Sequence, residues 1–337
     1  MTATTEPSLN KPTSTNRFAR LLRNIGTRVE PRASGLALAN LIAQVGIIVT
    51  GGLVRLTGSG LGCSTWPLCE PGQFTPVFHE QVTYHPFVEF GNRTMTGVLS
   101  VIAVLLILSL QYSKNRTRET KVLAWSVLGL IAIQAGVGGI TVLFTLNPAI
   151  VSAHMMISLA LVAVSALLHY RISQSNAPTP THGAGKPWLT NLGWVQLVMA
   201  LPVMILGVVV TGAGPHSGDT EVGYRLAFDP MAISKLHALF VWLFVAVVII
   251  LGVGLLLNRK ANDANGVPVV STSQLNAWWI LLGITALQGV VGYYQTFNGL
   301  PIFVVLGHML GAALLTWASV HMTLVLSPHV SAWKSKP

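Results

Sequence analysis

The feature that most constrains this chain is a series of eight nearly continuous apolar stretches, each about 20 residues long. A helix of that length crosses a hydrocarbon core about 30 Å thick. The alternating pattern of a membrane β-barrel is absent, and helices satisfy their own backbone polar groups in lipid. The sequence therefore predicts an all-α membrane protein with eight transmembrane helices. The predicted spans are 35–53, 86–110, 122–143, 149–170, 189–211, 231–257, 275–294 and 301–326.

Basic residues are distributed unequally between the two ends of these spans. All but four of the 20 Lys and Arg residues fall on the side of the N terminus. Because cytoplasmic segments carry the excess of Lys and Arg, both termini are predicted to be cytoplasmic. The net charge of +10 is then an orientation signal and an attraction to anionic lipid, and no nucleic-acid partner is expected. The four exceptions are Arg55, Arg93, Arg225 and Lys235.

Residues 1–34 form a polar arm before the first span. No cleavable signal peptide is expected, because the first apolar run has full span length. Apolar residues recur in the arm at helical spacing between arginines, which predicts a helix lying on the inner membrane surface. We favour a bacterial plasma membrane, with the mitochondrial inner membrane as the alternative because the arm resembles a transit peptide. These apolar residues are Phe18, Leu21, Leu22, Ile25 and Val29.

The chain also contains an internal repeat. The sequence Gly-Ile-Ile-Val-Thr-Gly at 46–51 returns as Gly-Val-Val-Val-Thr-Gly at 207–212, and His154 follows Gln134 at the offset at which His308 follows Gln288. Equal offsets across two helices and a loop indicate two parallel four-helix copies related by an axis along the membrane normal. The predicted organisation is an arm over 1–34, a first half over 35–171, a linker over 172–187, a second half over 188–327 and a tail over 328–337.

Two histidines in the second half lie at similar depth on different helices. His237 and His308 are each ~9–10 Å below the predicted outer boundary, at 1.5 Å of rise per residue. Two such imidazoles can ligate one haem iron from opposite faces. The alternative is that each histidine only hydrogen-bonds a neighbouring helix. The matched depth within a repeat favours a pair of ligands.

The first half repeats this arrangement with one change. His154 corresponds to His308, whereas Asn92 stands where the second half has His237. Glu89 lies one turn from Asn92 on the same helix face, and an ionisable residue inside a span indicates function because it is costly to bury. The alternative for Glu89 is an ion pair with Arg93, and both roles can hold together because Arg93 can also meet a haem propionate. The asymmetry predicts a cofactor site in the second half and a reaction site in the first.

Two outer loops carry further candidates. Cys63 and Cys69 lie in the first outer loop, on the oxidising side, where they are predicted to form a disulfide that is either a structural staple or a redox-active pair. The loop over 211–219 is rich in glycine and contains His216 and Asp219, so it either cradles propionates or a partner or simply makes a sharp turn. The remaining histidines are interpreted as ordinary interfacial or solvated residues: His79, His85, His169, His182, His321 and His329.

Together these motifs resemble the haem A synthase family over about residues 35–327. The matching elements are T-G-S-G-L-G-C…W-P-L-C at 57–69, E-x-x-x-R at 89–93, T-G-x-G-P-H-S-G-D at 211–219, and the three intramembrane histidines. The resemblance implies that the protein oxidises the C8 methyl group of haem O, through an alcohol and a hydrate, to the formyl group of haem A for terminal oxidases. One position departs from the family, which usually has histidine where this chain has Asn92, and asparagine is a poor iron ligand.

The resemblance also implies which residues take part. In the family the second half holds haem b through the histidines that match His237 and His308. On physical grounds we predict that this haem b passes electrons, and that His154 holds the iron of substrate haem O while the opposite face near Asn92 stays open or weakly occupied. Glu89, beside Arg93, would stabilise a developing cation, accept a proton or orient water. Expected partners are a haem O synthase as substrate donor, terminal oxidase assembly factors, an electron donor that the sequence does not identify and the lipid membrane, with a homo-oligomer left open. The rival functions are a diheme b-type electron carrier that uses quinol and a solute transporter, the latter favoured by the repeat alone.

Overall fold

A computed structural model describes residues 14–77, 83–113, 117–175, 186–216, 218–219, 221–264 and 266–327, with residues 14–16 and 175 described by backbone only. Within these residues the chain forms nine α-helices, one 3-10 turn at Glu30–Arg32 and no strand. The helices are α1 (Ser14–Val29), α2 (Ala33–Leu56), α3 (His85–Gln111), α4 (Arg118–Leu143), α5 (Pro148–Ser175), α6 (Pro187–Ala213), α7 (Pro230–Asn258), α8 (Thr272–Phe297) and α9 (Ile302–Leu326).

Eight helical segments are long and apolar enough to cross a membrane, and the first of them runs from Arg17 through α2 to Leu56. The predicted all-α fold with eight spans is therefore confirmed. The helices are longer than the apolar runs because polar caps extend them. Proline starts α5, α6 and α7, where its missing N–H costs no hydrogen bond, and the Ser271 hydroxyl accepts the Gln274 amide at the start of α8.

The helices pack in two rings of four. Helices α2 to α5 each contact their neighbours, and α2 closes the ring against α5; α6 to α9 repeat this order. The rings meet where α9 packs against α2 and α5, and where α5 packs against α6. Similar polar contacts hold both rings, since Asn40 Nδ2 donates to Ser165 Oγ at 2.9 Å and Gln196 Nε2 donates to the Ser319 carbonyl at 2.8 Å.

Buried apolar side chains concentrate in the C-terminal halves of α3, α5, α7 and α9. Leu106 and Leu110 on α3 belong to one buried cluster with Leu168 and Ile172 on α5, and a second cluster includes Phe244 on α7 and residues of α8 and α9. The N-terminal halves of the same four helices carry the candidate site residues and are less tightly packed. The fold thus places a solid core at one end of the bundle and leaves space at the other.

The arm and the linker differ in part from their predicted extents. Helix α1 covers 16 residues of the predicted arm, packs along α3 and leaves Phe18 and Leu21 exposed. Helix α5 continues to Ser175 and α6 begins at Pro187, so helices take up both ends of the predicted linker. The tail over 328–337, His79, His182 and His329 lie outside the described residues.

Candidate functional site

One continuous cavity of about 1590 Å³ lies between the helix ends next to the loops that follow α2 and α6. This volume exceeds the roughly 300–1,000 Å³ of a typical small-molecule site. Both halves contribute to its walls, and seven of the predicted site residues line the cavity. These are Glu89, Asn92, Arg93, His154, His216, His237 and His308.

His237 and His308 lie against glycines of the preceding helices. A Cβ added at Gly207 on α6 would be 3.2 Å from His237 Cε1, and one added at Gly292 on α8 would be 3.4 Å from His308 Cε1. No hydrogen bond of ordinary geometry reaches the buried Nδ1 atom of either ring from any described residue. The backbone of Val203 on α6 does interact with the His237 ring, so a contact with the neighbouring helix is weak there but not absent. Both histidines also line the cavity, where their rings are available to a ligand.

His154 has the same environment in the first half. A Cβ added at Gly138 on α4 would be 3.3 Å from His154 Cε1, and the buried Nδ1 of His154 likewise has no partner among the described groups. The Gln134 side chain donates to the His154 carbonyl at 3.0 Å, which ties α4 to the turn of α5 that carries this ring. The repeat in the sequence is thus matched by a repeat in the structure, in which each of these histidines packs against a glycine of the preceding helix.

Asn92 is held differently from a histidine ligand. The Thr50 hydroxyl donates to Asn92 Oδ1 at 2.7 Å, and the Asn92 amide lies beside Gly51. With the oxygen engaged, the amide group offers the cavity an N–H donor, which cannot ligate iron. This position therefore differs in chemistry, as well as in identity, from His237.

Glu89 is buried, with 4% of its surface exposed, and forms the ion pair with Arg93 that the sequence left as an alternative. Arg93 donates to Glu89 Oε1 from Nε at 3.1 Å and from Nη2 at 2.5 Å. The other carboxylate oxygen, Oε2, accepts the backbone N–H of Cys63 at 2.7 Å. Both oxygens of this intramembrane carboxylate are thus engaged at the end of the bundle where the loop after α2 lies.

Cys63 and Cys69 form the predicted disulfide. Both residues have no exposed surface. Thiol–disulfide exchange requires a partner thiolate to reach a sulfur atom, and neither sulfur is accessible in this conformation. Burial therefore favours the structural staple over an exchanging pair.

The glycine-rich loop after α6 joins the two halves. Arg55 on α2 donates to the carbonyls of Thr211 and His216, and the Gly60 amide donates to the Gly218 carbonyl at 2.7 Å. Gly218 has a φ of +103°, a conformation that glycine adopts without strain. His216 lines the cavity, as a propionate or partner loop would require.

Asp219 does not appear among the described residues that line the cavity. Its carboxylate accepts the backbone N–H of Glu221 at 2.8 Å, which is a local turn contact. Of the other described histidines, His85 Nδ1 lies 2.8 Å from the Ser59 hydroxyl, and the His321 ring stacks on Trp317. Neither is among the residues that line the cavity.

Three basic residues of the cavity were not recognised as site residues from the sequence. Arg55, Arg225 and Lys235 line it together with Arg93, so all four exceptions in the charge count converge here. Glu89 is the one carboxylate among the described lining residues. The sequence contained one indication of this site, because the excess of Lys and Arg on the predicted cytoplasmic side does not account for these four basic residues.

No group of three or more His, Cys, Asp or Glu side chains that could hold a metal ion occurs in the described part of the chain. The cavity instead offers single and paired imidazoles, a cationic lining and extensive apolar surface. Such a ligand set suits a metal that brings most of its own ligands, as haem iron does with four porphyrin nitrogens.

Comparison with known proteins relates most of this architecture to one family. The model of the COX15-CtaA family, described as Cytochrome oxidase assembly protein, matches residues 34–320. A Heme A synthase of Halalkalibacterium halodurans is 28% identical over 173 residues, which are 51% of this chain and 55% of the relative. A Heme A synthase of Listeria welshimeri is 37% identical over 134 residues, 39% of this chain and 43% of the relative.

A third relative, the Heme A synthase of Bacillus licheniformis, is 31% identical over 144 residues, 42% of this chain and 46% of the relative. In these alignments the chain spans about half the length of each relative. The family match, however, extends across both four-helix rings and includes every cavity histidine. The chain belongs to the COX15-CtaA family of cytochrome oxidase assembly proteins.

Proposed function

We propose that this protein is a haem A synthase, which oxidises the C8 methyl group of haem O to a formyl group and so makes haem A for terminal oxidases. The observation that carries the proposal is a single large cavity that contains three intramembrane imidazoles and one buried carboxylate, and the buried Nδ1 atom of each of these rings lacks a hydrogen bond of ordinary geometry among the described residues. The matched relatives are named Heme A synthase, which supports the same activity.

In this proposal His237 and His308 hold a haem b in the second half. Both residues line the same cavity, and the buried Nδ1 atom of each ring has no hydrogen bond of ordinary geometry among the described residues. The glycines behind the rings let the α6 and α8 backbones approach closely, so these backbones support the rings from the rear. When bound, haem b supplies one-electron transfer to or from the reaction site.

The four basic residues of the cavity suit the carboxylates of a haem. Arg55 and Arg225 donate to loop carbonyls, which fixes their guanidinium groups at the cavity wall. Lys235 lies two residues before His237 on α7, and the cavity provides it with no carboxylate other than Glu89. A cationic rim around an apolar interior favours an amphiphilic ring with anionic edges.

The first half takes the substrate. His154 binds the iron of haem O, and Asn92 on the other wall of this half offers an amide N–H in place of a second ligand. Glu89 accepts a proton or stabilises positive charge at the oxidised carbon, since a carboxylate that is withdrawn from water acts strongly on a nearby charge. Arg93 fixes the direction of that carboxylate through two N–H groups.

This asymmetry favours the synthase over a diheme electron carrier. A carrier needs two similar sites with strong axial ligands, whereas the first half has a hydrogen-bond donor at Asn92 and a carboxylate beside it. We further propose a bacterial plasma membrane with both termini in the cytoplasm, which puts the Cys63–Cys69 bond and the cavity on the outer side. A haem O synthase would deliver substrate, assembly factors of a terminal oxidase would receive product, and a separate electron donor would complete the cycle.

Haem extraction tests the activity. The chain is produced with a haem O synthase in a bacterium that lacks its own haem A synthase, and the extracted haems are separated by chromatography. Haem A, with some of the alcohol, is expected from the natural sequence, and the His154→Ala variant should give haem O alone. Purified protein that carries haem b but yields no haem A would instead support the electron carrier.

A further inference from the structure

The backbone between the two cysteines contacts both members of the Glu89–Arg93 pair. We call residues 63–69 the disulfide loop. The first residue of this loop donates its backbone N–H to Glu89, and Arg93 Nη1 donates to the carbonyls of Thr65 at 3.0 Å and Leu68 at 3.2 Å. One backbone N–H and two backbone carbonyls of the disulfide loop thus bind the side chains of Glu89 and Arg93, which also bind each other.

The disulfide loop is held against the helices at its far side as well. The Trp66 ring packs so closely on α4 that a Cβ added at Gly139 would be 2.5 Å from it. Gly62, just before the loop, packs equally closely on the His85 backbone at the start of α3. The Cys63–Cys69 bond then closes the segment into a ring whose ends cannot separate.

The arrangement makes the position of the carboxylate depend on the disulfide. Backbone groups present hydrogen bonds in a fixed direction only while the chain around them is ordered, and ordering a free loop costs conformational entropy at every residue. The disulfide lowers this entropy cost because it already restricts the conformations of the loop before the loop becomes ordered. Without it, the contacts to Glu89 and Arg93 would themselves have to hold the loop in place.

We propose that the disulfide loop is a positioning element for the reaction site: its backbone fixes the Glu89–Arg93 pair at the cavity wall, and the Cys63–Cys69 bond keeps it there. The cysteines thereby act through Glu89 and need not exchange electrons with any partner. The proposal rests on the proposed function only for the reaction that Glu89 serves, because the fixation itself is a property of the resting protein.

Chemical labelling of Glu89 tests this fixation without reference to haem A. Dicyclohexylcarbodiimide enters membranes and reacts with a neutral carboxyl group, but not with one that its donors hold as a carboxylate. In the Cys63→Ala/Cys69→Ala variant we expect labelling of the Glu89 peptide, measured by mass spectrometry of the full-length protein, to rise about tenfold, as loss of one charge-assisted hydrogen bond allows. Haem b content should not change, and kcat should fall more than KM rises.

A pair of glycine variants provides a second route that leaves the disulfide intact. Gly139→Ala should displace Trp66 and raise Glu89 labelling, whereas Gly136→Ala, on the same helix with nothing within 4 Å of its added Cβ, should not. Unchanged labelling in both the cysteine variant and Gly139→Ala would overturn the proposal. Equal increases in Gly139→Ala and Gly136→Ala would also overturn it, because a general loosening of α4 would then explain the result. If the natural sequence makes no haem A, the proposed function is refuted. The labelling measurement still tests whether the disulfide loop fixes Glu89.

Discussion

Replacing Glu89 by glutamine separates the chemistry of the carboxylate from its part in folding. Alanine would remove both oxygens and leave the Cys63 amide and the Arg93 guanidinium without their partner. Breaking one side of a buried ion pair typically costs about 3–5 kcal/mol, which is a large share of a normal stability. Glutamine keeps an oxygen that can accept the Cys63 N–H and has nearly the same volume. Its N–H₂ group then faces the Arg93 donors, so the expected cost is that of leaving a buried donor unsatisfied, about 1–3 kcal/mol, which is still below the cost of alanine.

Turnover should respond far more strongly than stability. A positioned acid or base contributes about 10²–10⁴-fold to rate, so Glu89→Gln is expected to lose haem A formation by a factor in that range. The assay is chromatography of haems extracted from cells supplied with haem O, together with the haem b content of the purified protein. The matched control is Gly91→Ala on the same helix, since nothing lies within 4 Å of the added Cβ. This control should retain both haem A formation and haem b.

Two results would refute this reasoning. If Glu89→Gln forms haem A at the natural rate, the negative charge of the carboxylate is not used in the reaction. If it loses haem b and membrane-inserted protein together, the main role of Glu89 is to hold the first half in shape. Only loss of haem A with haem b retained agrees with a carboxylate that serves the chemistry.

Three further outcomes are expected. Gly207→Ala should reduce haem b retention, because the added Cβ would be 3.2 Å from His237 Cε1 and overpacking costs about 1–3 kcal/mol; the repeat-related Gly46→Ala has open space around it and should retain haem b in the same absorbance measurement. His237→Ala should lose haem b or give a high-spin spectrum, and an unchanged low-spin spectrum would contradict its role as a ligand. Asn92→His should convert bound haem O to a low-spin form with slower turnover, because a second imidazole can then act opposite His154; unimpaired turnover would show that asparagine is a tolerated replacement.

The helices and the residues that matter on them were accessible to sequence reasoning. Lipid offers backbone groups no hydrogen-bond partners. An apolar segment long enough to span the membrane therefore forms a helix, which satisfies these groups internally. The repeat then pointed to His154, His237 and His308, because equal offsets place residues at equal depth. The exact helix ends were less accessible, since caps such as Ser271 with Gln274 extend a helix beyond its apolar stretch.

The convergence of the basic residues at the cavity wall could not be predicted from the sequence. The charge count identified Arg55, Arg225 and Lys235 as exceptions, but they lie on three separate segments of the chain. Their convergence depends on how α2 and α7 pack and on the course of the loop after α6. A linear pattern contains no information about the angle between two helices or the path of a loop.

The sequence by itself determined an eight-helix membrane bundle, its duplication, and the three histidines with Glu89 on their helices, because each of these follows from spacing along one segment. Tertiary structure alone decided that both halves share one cavity, that the Thr50 hydroxyl engages Asn92, and that the Cys63 backbone holds Glu89. The physical reason is the range of the interactions. Helical periodicity is a local property of the backbone, whereas these contacts join side chains and loop amides whose meeting depends on the packing of distant segments.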